Sequence, residues 1–174
     1  MSTKFYFCYS SALDLAAFNE WKESHGFTHF SLPEGVPATA LGVAYVFDFP
    51  SRYWGGRVLS LEDLSHDSQP ADVHGVLFEI HESHWPIVQH KEGVVTGASV
   101  EKRLKVLAGD ASKRGGTRLV DALAFVTNPE RSSQDGPVST RFLETVLRAY
   151  ETQGVPAGAS ESVRQAAGYP LSAN

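Results

Sequence analysis

Five or six strand-like segments, separated by loops and accompanied by short helices at irregular places, leave this chain few architectures. The clearest is Val73 to Ile80, where Val73, Gly75, Leu77 and Glu79 alternate with the more apolar set His74, Val76, Phe78 and Ile80, the two-residue period of a pleated chain. The aromatic run Phe5 to Tyr9 reads as a strand too, as do Ala40 to Phe49, Arg57 to Leu61, Val100 to Leu107 and Arg118 to Val126; β-branched and aromatic residues favour that state. Residues 27 to 40 read as irregular because of Pro33, Gly35 and Pro37. Pro50 to Gly56 reads as a loop, Glu62 to Ala71 as a polar surface turn, and Asn128 to Pro137 as another polar loop.

Helical spacing is expected in four places. Leu13, Ala17 and Trp21 share one face of a first helix that Gly26 ends. His84 to Glu92 is a short helix, with Ser83 as its N-cap and Pro86 in its first turn. Ser139 to Glu151 is strongly amphipathic and is closed by Gly154 and Pro156. Glu161 to Ala167 is a short helix in the tail. The regular strand–helix alternation of a doubly wound sheet is missing. The expected fold is therefore α+β, a small closed or bent β-barrel of about five to seven strands flanked by short helices.

At 174 residues the sequence suits one domain over 1–174, with 157–174 as a tail or short helix. A hydrophobic content of 42% supplies a core without disulfides, and the single cysteine, Cys8, permits none within the chain. The net charge of −5 argues against nucleic acid or an anionic membrane as partner. No apolar run approaches the ~20 residues of a membrane span, and the start of the chain lacks the pattern of a signal peptide. A cytoplasmic location is the expectation.

Several residues invite chemistry that the spacing does not support. His81 and His84 are spaced as metal ligands, with His90 beyond, yet no further ligands recur at a diagnostic interval, and no metal is expected. Cys8, inside a strand, reads as a buried structural thiol. Ser10-Ser11 lacks the Gly-x-Ser-x-Gly elbow of a serine hydrolase. Tyr45, Phe47, Phe49, Tyr53 and Trp54 read as core and pocket wall.

Four segments in order resemble one family. Phe5-Tyr6-Phe7-Cys8-Tyr9-Ser10-Ser11-Ala12-Leu13 resembles the Tyr-Gly-Ser-Asn-Leu opening of the γ-glutamylcyclotransferases. Trp54-Gly55-Gly56, followed by Val73-His74-Gly75-Val76-Leu77-Phe78-Glu79-Ile80, is similar to that family's Trp/Gly-Gly and Val-x-Gly order. Lys91-Glu92-Gly93-Val94-Val95-Thr96-Gly97 looks like its Glu-Gly segment. Ala124-Phe125-Val126-Thr127-Asn128, then Gly136-Pro137-Val138-Ser139 and a helix ending at Gly154-Val155-Pro156, is similar to its closing part. The likeness runs from about Phe5 to Pro156.

The resemblance implies a barrel flanked by helices and an enzyme of carbon–nitrogen lyase or acyl-transfer type. That enzyme releases 5-oxoproline and an amine from a γ-glutamyl amide and needs no cofactor. It implies Glu92 as the general acid/base, and Tyr9, Ser10, Ser11, Ala12 and Leu13 as the substrate-binding loop. The partner expected is a small γ-glutamyl or related amide, and a homodimer is among the open assembly states. Ser10 stands where the family has glycine, Ala12 where it has asparagine, and Ser99 and Arg141 or Phe142 where it has tyrosines. These departures leave two alternatives: a same-fold enzyme acting on a different amide or lactam in a specialised pathway, and a non-catalytic small-molecule-binding module.

Overall fold

The computed structural model describes residues 2–65, 73–109 and 115–169. Within them the strands are β1 (Thr3–Cys8), β2 (Val36–Ala40), β3 (Val43–Ser51), β4 (Gly56–Asp63), β5 (Val73–His81), β6 (Ser99–Gly109) and β7 (Thr117–Thr127). The α-helices are α1 (Leu15–Ser24), α2 (Trp85–Lys91), α3 (Thr140–Gln153) and α4 (Ala157–Ala166). Five strands close a barrel in the order β1-β5-β2-β6-β7, and β3 and β4 form a separate two-stranded sheet. Neighbouring barrel strands are antiparallel except at the closure, where β1 and β7 run parallel with Tyr6 opposite Leu123. The α+β barrel flanked by helices is the fold anticipated from the segment pattern.

Side-chain size sets how tightly this barrel winds. Ala38 lies opposite Gly75 on one neighbour and Ala108 on the other, and both alanines are buried. On β6 Leu104, Val106 and Ala108 are buried while Arg103, Lys105 and Leu107 face solvent, the alternation of a strand with one covered face. Gly75 marks the closest approach of two strands: a Cβ there would lie 2.3 Å from the backbone oxygen of Cys8. Aromatic residues pack between the barrel and α2, where Tyr6 stacks on Phe78 at 6.0 Å and meets the edges of Trp85 and Phe125. Each such ring removed from water contributes roughly 1.5–3 kcal/mol.

The structure corrects several expectations. Residues 27–40 are not irregular throughout, because β2 occupies Val36–Ala40. Its Pro37 is tolerated because β2 pairs with β6 only from Ala38 onward, so one side of the strand needs no donor there. The loop expected over Pro50–Gly56 shrinks to a tip, since β3 runs to Ser51 and β4 begins at Gly56. Pro50 is accommodated because β3 is hydrogen-bonded to a single neighbour. The turn expected over Glu62–Ala71 begins later, after Asp63, and residues 66–72 lie outside the described residues. Ser83 is not the cap of α2: it sits inside a 3-10 turn over Glu82–His84, whose cap is the ring of His81 accepting from the Ser83 N–H at 3.2 Å. The tail helix starts at Ala157, earlier than expected, directly after Pro156; its Ala159 and Val163 are fully buried.

Helix α3 follows its sequence closely. The Ser139 hydroxyl caps it, accepting from the Phe142 N–H at 3.1 Å, and also donates to the Trp54 carbonyl at 2.7 Å. One side chain thus starts the helix and pins the tip of the β3–β4 hairpin. Gly154 ends α3 in the left-handed region at φ 69°, where glycine carries no Cβ penalty. No helix among the described residues is long and apolar enough to cross a membrane.

Candidate active site

The two-residue period of β1 puts Tyr6 and Cys8 on the same face, and the chain then turns at Ser10 into a short 3-10 helix over Ser11–Leu13. Ser10 is extended, with φ −128° and ψ −160°, so serine sits there without strain although the family pattern has glycine. A buried tyrosine network holds the turn. Tyr9 donates its hydroxyl to the Phe125 carbonyl at 2.5 Å. Tyr150 on α3 donates to the Tyr9 carbonyl, and lies 3.1 Å from the Tyr45 hydroxyl, which donates to the His74 carbonyl at 2.9 Å. Two barrel strands, the hairpin and α3 therefore converge on the residue preceding the turn.

Glu92 arrives from the other side. It is the C-terminal cap of α2, its N–H donating to Val88 at 2.9 Å. Gly93, at φ 82°, then reverses the chain. The carboxyl is partly buried and accepts the Tyr6 hydroxyl at 2.5 Å. Burial pushes the Glu92 carboxyl above its ordinary range, and the Tyr6 hydrogen bond and the Lys91 ammonium draw it part of the way back. Burial likewise pulls Lys91 below its ordinary value, with Glu92 opposing. The Cys8 thiol, buried beside this carboxyl, is pushed up to about 12 by burial first and Glu92 second, which leaves it inert as a nucleophile at neutral pH.

A cavity of about 330 Å³ brings the two sides together, its wall including Tyr9, Ser10, Ser11, Glu92, Ser99 and Phe142. A larger compartment of about 720 Å³ adjoins it, sharing Ser11, Tyr53, Trp54, Lys91 and Glu92. Among the described residues the hydroxyls of Ser10, Ser11 and Ser99 have no hydrogen-bond partner. Ala12 is buried yet borders the larger compartment.

Leu13 departs from its expected place in the binding loop. It is fully buried, lines neither compartment, and its N–H is engaged by the Ser10 carbonyl at 3.0 Å. The N–H groups of Ser11 and Ala12 open the 3-10 turn, where no intrahelical acceptor reaches them.

Of the pocket-wall aromatics, Phe49, Tyr53 and Trp54 line the smaller cavity, whereas Tyr45 and Phe47 are buried in the core. Arg141 turns away from the cavity and lies over the rings of Trp54 and Tyr53, at 4.8 and 5.0 Å. The histidines meet in two groups, His25 with His90 at 5.5 Å and His84 with both His29 and His81 at 6.1 Å; His84 also packs on Phe30, and His90 sits edge-on to Trp21 and Phe27. Among the described residues no group of three or more His, Cys, Asp or Glu side chains is arranged for a metal.

Tyr6 and Lys91 were absent from the sequence-derived site. Tyr6 carried a usable signal, since strand alternation puts it on the face that continues through Cys8 to Ser10. It is a positioning residue for Glu92, and its removal has a readable consequence. Because its hydrogen bond lowers the Glu92 pKa, Tyr6→Phe is expected to raise that pKa further. If the carboxyl serves as a base it must be unprotonated to act, and the acidic limb of the kcat/KM profile should then move to higher pH. A pH–rate profile with an unmoved acidic limb would show that the contact does not set the carboxyl.

Comparison with known proteins bears on the family and the fold. The sequence model of the AIG2-like family matches residues 72–160, just over half of the chain. The chain belongs to the AIG2-like family. No curated protein sequence matches it, but solved structures do. A γ-glutamyl cyclotransferase is similar with a TM-score of 0.67 at 17% identity, over 94% of this chain and 87% of that one. An uncharacterized protein from Homo sapiens gives 0.70 at 18% identity, over 94% and 88%. A yeast γ-glutamyl cyclotransferase specific to glutathione gives 0.57 at 14% identity, over 95% and 97%. At these identities the likeness is one of fold, and this AIG2-like chain has the γ-glutamylcyclotransferase fold.

Proposed function

We propose that the chain is a cyclotransferase that releases 5-oxoproline and an amine from a γ-glutamyl amide, with Glu92 as general acid/base. The observation that carries this reading is the partly buried Glu92 carboxyl, oriented by Tyr6, on the wall of a cavity shared with the Ser10–Ser11 turn. In the proposed reaction the α-amine nitrogen attacks the γ-carbonyl carbon of the same molecule, and Glu92 takes the proton that the amine sheds. The carbonyl oxygen of the tetrahedral intermediate becomes anionic, and the Ser11 and Ala12 N–H groups are the donors best suited to it. The bond to the leaving nitrogen then breaks, and Glu92 returns the proton to that nitrogen. One bond forms, one breaks, and no electrons are gained or lost overall. A carboxyl raised by burial suits both halves of this shuttle near neutral pH.

A second reading, the same fold acting on a different amide or lactam, is favoured by one observation. Ser99 presents a small hydroxyl to the cavity where the family pattern has tyrosine, and Phe142 presents an apolar ring. A non-catalytic binding role fits less well. It would leave Glu92 in a structural ion pair or directed to solvent, and the carboxyl has neither arrangement.

The purified chain incubated with γ-glutamyl dipeptides and with γ-glutamylamines is expected to yield 5-oxoproline, read by chromatography. Absence of 5-oxoproline from both classes, with turnover of other amides, would replace this reading by the second one.

A further inference from the structure

The larger compartment is bordered by a cation that has no ion-pair contact among the described residues. Lys91 is half-buried, and among the described residues its ammonium makes neither a hydrogen bond nor an ion pair. Its contacts are the ring faces of Trp21 at 5.3 Å and Phe18 at 5.9 Å. Among the described residues no carboxylate comes within ion-pair distance of it. Asp14 is paired with Arg148 at 3.3 Å, Glu92 attracts the ammonium from beyond ion-pair contact while its carboxylate takes the Tyr6 hydroxyl, and Glu20 lines the same compartment. His25 faces the compartment too, but its Nδ1 is engaged at the end of α1 by the Trp21 carbonyl at 2.7 Å.

The position of the ammonium says which part of a substrate it meets. Lys91 lines both compartments, but Trp21 lines only the larger one, so the end of the side chain seated over that ring faces the larger compartment. Ser10 and Ser99 border only the smaller cavity, where a γ-glutamyl group would be held, and Ser11 borders both. Glu92 lies at the junction. A bond cleaved beside Glu92 would therefore have its acyl side in the smaller cavity and its amine side next to Lys91.

Resting on the cyclotransferase reading above, we infer that Lys91 is a specificity-determining residue that binds an anionic group on the leaving amine. The substrate class is a γ-glutamyl amide whose amine carries a carboxylate close to the scissile nitrogen, in preference to a neutral γ-glutamylamine. A cation that is partly desolvated and unpaired gains most from an anion brought to it. Lys91 belongs to the reaction as a binding group, and Glu92 keeps the proton transfer.

The test compares two substrates that differ by one carboxylate, γ-glutamylphenylalanine and γ-glutamylphenethylamide, in the wild type, Lys91→Met and Lys91→Arg. The readout is the ratio of their kcat/KM values, in which any effect of Lys91 on Glu92 common to both substrates cancels. A charge-assisted contact predicts a wild-type ratio of about 10 to 100 in favour of the carboxylate substrate. That ratio should collapse toward one in Lys91→Met, mainly through KM, and recover in Lys91→Arg. A ratio near one in the wild type, or one unchanged by Lys91→Met, overturns the inference. If the wild type turns over neither substrate, the cyclotransferase reading fails separately, and the anion site is judged by calorimetric binding of N-acetylphenylalanine against N-acetylphenethylamine. Carboxylate-dependent binding lost in Lys91→Met then supports the site, and its absence in the wild type overturns it.

Discussion

Glu92→Gln is expected to lower kcat for 5-oxoproline release by about 10³-fold, inside the roughly 10²–10⁴-fold that a positioned acid/base supplies. The same substitution is expected to stabilise the protein at neutral pH. The sign follows from linkage. Burial holds the Glu92 pKa above its unfolded value, so the folded state binds the proton more tightly. The stability this contributes is present in full below the unfolded pKa and is lost as pH rises through the folded pKa. Above the folded pKa the native protein keeps a carboxylate that it solvates poorly. Glutamine preserves the shape and can still accept from Tyr6, but it carries no charge to desolvate. Urea unfolding across a pH series checks this: the variant should be more stable than wild type at neutral pH, and the gap should close in acid. A variant that keeps wild-type turnover would remove Glu92 from the chemistry, whatever its stability.

Gly75→Ala carries the largest expected effect on stability. The added methyl would meet the Cys8 carbonyl at 2.3 Å, and that atom is backbone, so no side chain can swing away. Either β1 or β5 must shift, at a cost of about 1–3 kcal/mol or more. Gly158→Ala is the matching control. It lies in α4, has open space around its missing Cβ, and should be neutral or stabilising by about 0.5–1 kcal/mol. Denaturant midpoints of the two variants report the contrast. Gly75→Ala should also lose activity, because Cys8 leads directly into the turn that borders the cavity. Equal midpoints would mean that the strands have slack that the backbone geometry does not suggest.

Much of this architecture was legible because local physics and tertiary packing agree. Ser139 and Gly154 announced both ends of α3, and the alternation of Val73 to Ile80 announced β5. The Glu92 segment stood out through its resemblance and not through its chemistry, since a glutamate before a glycine is common on surfaces. β2 was hidden because Pro37 is disqualifying in a central strand, and its tolerance depends on where a distant neighbour begins to pair. The cap of α2 was misplaced because a 3-10 turn capped by His81 takes up Ser83, and α2 then starts from His84 without a side-chain cap. Leu13 lay within the resembling segment, but the 3-10 turn directs its side chain into the core and engages its N–H. Lys91 could not be singled out from sequence. An unmatched charge is defined by which carboxylates fail to reach it, and that is a property of the assembled fold.

The pairing of Tyr6 with Leu123 has a consequence for how activity is acquired. Those residues are 117 positions apart in the sequence, so the parallel seam that completes the barrel is among the most non-local contacts of the chain. Contacts of that kind carry the greatest loop-closure cost and tend to form late in folding. The residue at the seam is also the one whose hydroxyl orients Glu92. A chain that has collapsed but not yet sealed has its carboxylate and its serine turn, and lacks the settled partner that orients the carboxylate. Recovery of turnover during refolding should therefore lag the recovery of secondary structure and keep pace with closure of the seam.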